Sequence, residues 1–319
     1  MPTGLDTEAV PGRTASPDLR EPTPLLFIGG TGRSGTHVVA KILNQHSHFR
    51  KVPNEARFHT DPGGLPDVLA GRTGPDLFAY RLRHHWWRNF EPARLSFRGL
   101  HRYVPKRRLD AATDAFLRRC AGGEPEAASR QLFFDLLWPL ATEGAKAGLI
   151  EQSCDVVAAA GPLGTLFPEA RFVHVVRDGR DVAASRAGQA LRLAYPRTIE
   201  QGLEWWEARI RRIDAGIRAA GRDRVHETSL DDLVSGNRRR HTYRKLRQFA
   251  GLRNEDAMMS YFNRRVRARN ANAERWRRDV APRRHDAVDA LYAEILDRLD
   301  ADGIGCAPIL RRVRERRSA

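Results

Sequence analysis

Cysteine is scarce in this chain of 319 residues, which carries only Cys120, Cys154 and Cys306. An odd number without C-x-x-C spacing writes neither a disulfide framework nor a zinc ribbon, so a reducing, cytoplasmic setting is expected. No stretch approaches the ~20 apolar residues of a membrane span. The N-terminus also lacks the charged segment and apolar run of a secretory leader. Lysine is confined to Lys41, Lys51, Lys106, Lys146 and Lys245, although the net charge is +16. Arginine therefore carries the basicity. It fits a nucleic acid, an anionic membrane surface or a polyanionic small molecule, and chooses none of them. The scattered His37, His46, His48 and His59 lack a matched second pair, so no metal site is expected.

The length and a hydrophobic content of 41% suffice for a substantial core. Residues 1–24 hold five prolines among Gly, Thr, Ser and acidic residues and read as a flexible tail. A single domain is expected from residue 25 to 319. Leu25–Ile28 is a short apolar run bounded by glycines, as in a strand buried on both faces, and Ser34–Leu43 carries Val38, Val39, Ile42 and Leu43 at helical spacing. Pro53, Pro62 and Pro66 break the polar stretch 44–74, a candidate active-site loop. Residues 60–145 read as a helical subregion on the acceptor side, with a basic linker around "VPKRRLD". Leu149–Glu151 and Arg171–Val176 are further strand candidates, the second feeding a helix from Asp181; from Ile199 onward the pattern is helical. Strand and helix in alternation predict an α/β fold: a P-loop-like, three-layer arrangement with a mostly parallel central sheet flanked by helices.

The stretch "GGTGRSGTH" sits where that fold binds anions, between a strand and the N-terminus of a helix. Gly30 and Gly35 keep the spacing of G-x-x-x-x-G-K-[ST], but Thr36 replaces the lysine, His37 replaces the Mg²⁺-binding hydroxyl residue, and a cation stands earlier, at Arg33. The N–H groups from Gly30 to His37 could form an anion nest with Arg33 projecting from it. A second strand end carries Arg177, with Ser185 eight residues on. Taken alone, Arg177 could equally pair with Asp178 or Asp181.

As a pair, the two segments resemble the sulfotransferases that use 3′-phosphoadenosine 5′-phosphosulfate (PAPS). "GTGRSGTH" is similar to their 5′-phosphosulfate loop, and "VVRDGRDVAAS" to their 3′-phosphate segment. The resemblance implies PAPS as donor without a metal, bound by Gly32, Arg33, Ser34, Gly35, Thr36, His37, Arg177 and Ser185. "VPNEARFH" matches the placement of the catalytic Glu in the Golgi, protein-tyrosine and many bacterial members, which implies Glu55 as general base. Arg33 would act on the leaving phosphate. More loosely, "RNANAERWRRDV" is similar to the segment that closes over the 3′-phosphate, aligning Arg269 with a phosphate-binding Arg. Where many bacterial relatives read E-K-T-P, this chain has Glu151, Gln152, Ser153 and Cys154, and a Tyr-Glu-Asp-Leu contact to adenine appears as Leu230, Asp231, Asp232 and Leu233.

The acceptor, a small molecule or glycan presenting a hydroxyl or less readily an amine, is not named by these residues; Arg57, His59 and His84 are candidates for contacting it. His84 and His85 beside Trp86 and Trp87 could equally lie on a helix whose aromatics pack inward. Two other readings stand. One is a P-loop kinase or NTPase with Asp178 as Mg²⁺ ligand. The other is a nucleic-acid-binding protein, which needs exposed aromatics, whereas Trp205 and Trp206 read as core residues of an amphipathic helix; no specific nucleic-acid partner is expected, and the oligomeric state is open.

Overall fold

A computed structural model describes residues 23–91, 96–188 and 196–318. The tail expected over 1–24 lies outside these residues except at its end, where the boundary moves. Thr23 is buried, its hydroxyl donating to Leu25 O and Glu169 O, and Pro24 O accepts from Leu149 N at 2.8 Å.

Five parallel strands form the central sheet: β1 (Leu25–Gly30), β2 (Phe49–Lys51), β3 (Gly148–Glu151), β4 (Arg171–Val176) and β5 (Val225–Ser229), in the order β2-β3-β1-β4-β5. The expected parallel α/β fold is what forms. Side chains alternate across a strand, so β1 is buried on both faces. Leu25 and Phe27 pack with Phe58, Leu109, Phe133 and Phe172, whereas Leu26 and Ile28 pack with Val39, Leu43, Tyr243 and Phe262. The first face is covered by the helices of the 60–145 segment, including Lys106–Ala121 and Pro125–Leu137.

Three local expectations are corrected. Strands β2 and β5 lie where a turn-rich loop and an all-helical tail were expected; both are edge strands, reading "FRK" and "VHETS", without the apolar run that marks a central parallel strand. The basic "linker" is helical from Lys106, directly after Pro105. Finally, the helix after β4, α2 (Gly179–Ala187), begins two residues before Asp181.

Parallel strands end together, so Gly30, Lys51, Glu151, Val176 and Ser229 share the carboxyl edge of the sheet. Helix α1 (Thr36–Leu43) leaves that edge after β1. Helix α3 (Ile199–Ala220) lies against α2 at a close approach, since a Cβ on Gly202 would stand 2.8 Å from that of Ala183. No helix among the described residues is long and apolar enough to cross a membrane.

Candidate active site

The loop between β1 and α1 turns by left-handed backbone at Gly32 (φ 76°), Arg33 (φ 61°) and Gly35 (φ 95°). Gly35 caps α1 without a side-chain acceptor, and no acidic residue lies in the first turn, so the positive end of the helix is left for an outside anion. A side chain there would also collide with Leu230, 2.6 Å from the Cβ position. Arg33 is not a glycine, so its backbone is strained by ~1–3 kcal/mol. Two contacts hold it: Arg33 O accepts from Arg177 Nη1 at 2.8 Å, and Arg33 Nε donates to Ser185 Oγ at 2.9 Å.

This loop floors a cleft of about 870 Å³ at the carboxyl edge. Gly32, Arg33, Gly35, Thr36, His37, Glu55, Arg57 and Arg177 all line it, so residues far apart in sequence are brought to one cavity. Ser34 does not line it; its hydroxyl is buried against Gly30. Ser185 is likewise buried, behind the guanidinium of Arg33.

The loop is a concentration of positive charge. Burial and the neighbouring Arg186, Arg177 and Arg275 hold the Arg33 guanidinium below its ordinary pKa. Arg177 also donates through Nη2 to Ala271 O (3.0 Å) and Asn272 O (2.8 Å), tying the 268–276 segment to the loop, while its buried Nε has no partner among the described residues. His37 is pushed down by burial, so it is neutral near pH 7; its Nδ1 lies 2.9 Å from Gln152 Oε1. Gln152 thus orients this ring.

Glu55, half-buried, also lines the cleft, on the Pro-interrupted loop after β2. Fully buried Glu151 at the end of β3 anchors that loop, accepting from Ala56 N (3.2 Å), Ser153 Oγ (2.7 Å) and Ser153 N (2.9 Å), with His59 Nε2 at 2.9 Å. Burial works against the Glu151 charge, but His59 and Ser153 more than offset it and lower its pKa. Burial raises the pKa of Glu55, against the thiol of Cys154, which donates to Oε1 at 3.1 Å, and the charge of Arg57. Arg57, also left-handed (φ 67°), pairs with Asp61 at 3.1 Å.

Several candidates are displaced. His59 has no access to the cleft: it is wholly buried among Phe27, Phe58 and Phe133, and it positions the loop instead of touching an acceptor. His84 is exposed beside Tyr80 and does not line the cleft, because Trp86 takes the inward position of that helix. Arg269 is exposed outside it too, and the cation that its segment sends toward Ser185 is Arg275, 3.5 Å away.

Other cleft residues were not singled out from sequence. Arg186 and Arg209 lie over the ring of Trp205, their Cζ atoms 4.1 and 5.3 Å from its centroid. Trp205 therefore faces the cleft, whereas Trp206 is core as expected. The only hint was helical phase, since adjacent residues on α3 face different ways. Away from the cleft, His174, Glu227 and Cys306 bring ligand-type atoms within 4.8 Å of one another, from residues that no spacing pattern had connected.

A family model described as "Sulfotransferase family" matches residues 24–256. Among solved structures, the sulfotransferase domain of the Synechococcus PCC 7002 olefin synthase aligns at a TM-score of 0.50 and 18% identity, covering 89% of this chain and 97% of that one. The sulfotransferase domain from the curacin biosynthetic pathway aligns at 0.49 and 13% (88% and 98% covered), and a Mycobacterium avium sulfotransferase at 0.43 and 14% (88% and 78% covered). At 18% identity, the first likeness bears on the fold alone.

Proposed function

Because the chain belongs to the sulfotransferase family and so transfers sulfuryl groups, we propose that its donor is PAPS, its acceptor a hydroxyl of a small molecule or glycan, and its general base Glu55. The observation that carries this reading is the convergence of Arg33, Arg177, Arg186 and Arg275 on a left-handed loop at a helix N-terminus, in a cleft also lined by the half-buried carboxylate of Glu55. Burial and the neighbouring cations disfavour the charge on Arg33, and a donor bearing phosphosulfate and 3′-phosphate supplies negative charge that favours it.

In the proposed step, the acceptor O–H gives its proton to Glu55 as its oxygen attacks sulfur. The bond between sulfur and the bridging oxygen breaks in line, and the electron pair moves onto the 5′-phosphate. Arg33 and the N–H groups of the loop meet that growing charge, a contribution that needs no reorganisation at the moment of reaction. Arg177 reaches the same cleft from the end of β4 and is assigned to the 3′-phosphate; Ser185 bears on it through Arg33 and Arg275.

The kinase reading loses its Mg²⁺ ligand: Asp178 is wholly buried and bonded to Arg180 (2.6 Å) and Arg317 (3.2 Å). The nucleic-acid reading is weakened by the pairing of many arginines with internal carboxylates, such as Arg312 and Arg316 with Asp232. Titration calorimetry with 3′-phosphoadenosine 5′-phosphate (PAP) and with ATP tests the proposal. PAP is expected to bind much more tightly, with no Mg²⁺ requirement. Equal affinities, or binding that depends on Mg²⁺, overturn it.

A further inference from the structure

Cys154 lines the cleft immediately after the Glu151–Ser153 anchor, and its Sγ stands 3.1 Å from Glu55 Oε1. This is the only hydrogen bond to the Glu55 carboxylate among the described residues. The thiol is not a filler in the apolar core. A Cβ built on Gly32 would lie 3.8 Å from Sγ, so the sulfur stands between the phosphate loop and the carboxylate.

We propose that Cys154 is a positioning residue for sulfuryl transfer: its thiol donates to one oxygen of Glu55, fixes the rotamer of the carboxylate, and leaves the second oxygen for the acceptor hydroxyl. The assignment rests on the reading of Glu55 as base. The choice of sulfur has a chemical consequence, because S–H is a weak donor compared with O–H. A strong donor would stabilise the carboxylate and make it a poorer base, whereas no donor would leave it free to rotate and to take up a proton too readily. The thiol lies between these limits, and the coupling runs both ways. Burial first, then the charge and hydrogen bond of Glu55, hold the Cys154 thiol well above its ordinary pKa, so it stays protonated and able to donate.

Two measurements on the full chain test this. In the first, alkylation of Cys154 by iodoacetamide is followed at pH 8 by peptide mass spectrometry in wild type and in Glu55→Gln, with Cys120, which does not line the cleft, as internal reference. Removing the carboxylate charge lets the thiol pKa fall, and each unit is worth tenfold in thiolate, so Cys154 in Glu55→Gln is expected to react about 3–10-fold faster relative to Cys120. Equal relative rates overturn the coupling.

The second measurement compares pH profiles of transfer in wild type, Cys154→Ser and Cys154→Ala, each first shown to bind PAP. The acid limb is expected to move down in Cys154→Ser, a stronger donor, and up in Cys154→Ala, which has none. Coincident limbs in all three overturn the proposal, since a merely structural thiol would change rates without ordering the limbs by donor strength. The base reading fails separately: Glu55→Gln that still transfers sulfate removes Glu55 as base, while the alkylation comparison continues to report whether thiol and carboxylate are coupled.

Discussion

Replacing Arg317 by Met should damage a protein whose cleft that residue never enters. Arg317 lies on the last helix, Ala307–Ser318, and its side chain, 5% exposed, reaches Asp178 Oδ2 (3.2 Å), Asp181 Oδ2 (3.1 Å) and Asp231 Oδ1 (2.6 Å). Asp178 keeps Arg180, and Asp181 keeps Arg177 at 3.5 Å with the N–H groups of Glu274 and Trp276. Among the described residues Asp231 keeps only Asp178 N, at 2.9 Å, and burial already raises its pKa despite Arg317. Leaving one buried carboxylate without its cation costs about 3–5 kcal/mol.

The sign with pH follows. A carboxyl whose pKa is raised by folding takes up protons in the folded state before the unfolded one, so its cost shrinks as pH falls. Urea unfolding followed by tryptophan fluorescence should show the Arg317→Met deficit larger at pH 8 than at pH 5.5, and Asp231→Asn in the same chain should recover part of it. A deficit below about 1 kcal/mol that does not change with pH would refute the reasoning. Because Asp181 also holds the 274–276 backbone, PAP affinity should fall as well.

Arg177→Ala should weaken PAP more than adenosine 5′-phosphosulfate, since both ligands use the loop that Arg177 also holds but only PAP has a 3′-phosphate; calorimetry should find an extra loss of ~1.5–3 kcal/mol for PAP, and equal losses for both ligands would remove the assignment. Arg33→Ala should lower kcat by roughly two to three decades with a smaller effect on PAP binding, as loss of an oxyanion donor does, and a rise in KM alone would place Arg33 outside the reacting centre. As the proposed base, Glu55 has to be ionised to accept a proton, and burial raises its pKa, so the acid limb of kcat should lie above the ordinary carboxylate value of about 4.3. Glu55→Gln should abolish that limb and cut transfer by ~10²–10⁴ while PAP still binds.

How far the sequence carried the site depended on chain distance. The loop between β1 and α1 was legible because its strand, left-handed turn and helix start are contiguous, and each leaves a local mark in glycine spacing or apolar period. Arg177 followed because a strand running directly into a helix is also local. The edge strands β2 and β5 escaped because "FRK" and "VHETS", three and five residues long and mostly polar, have no apolar run to announce them.

His59 shows the limit from the other side. As a polar residue on a loop near Glu55 it reads as a substrate contact, yet the fold turns it inward to Glu151, a partner 92 positions away. Arg269 and Arg275 lie on one basic segment with nothing local to separate them. Only the docking of that segment on Arg177 and Asp181 decides which of them approaches Ser185. The sequence alone determined the parallel α/β architecture, the glycine-rich turn between β1 and α1 and the family resemblance, because backbone conformation and hydrophobic period are short-range properties. Which arginines converge, which carboxylate is buried, and which thiol touches it were decided only by tertiary structure, because charge and burial act through space among residues that the chain keeps far apart.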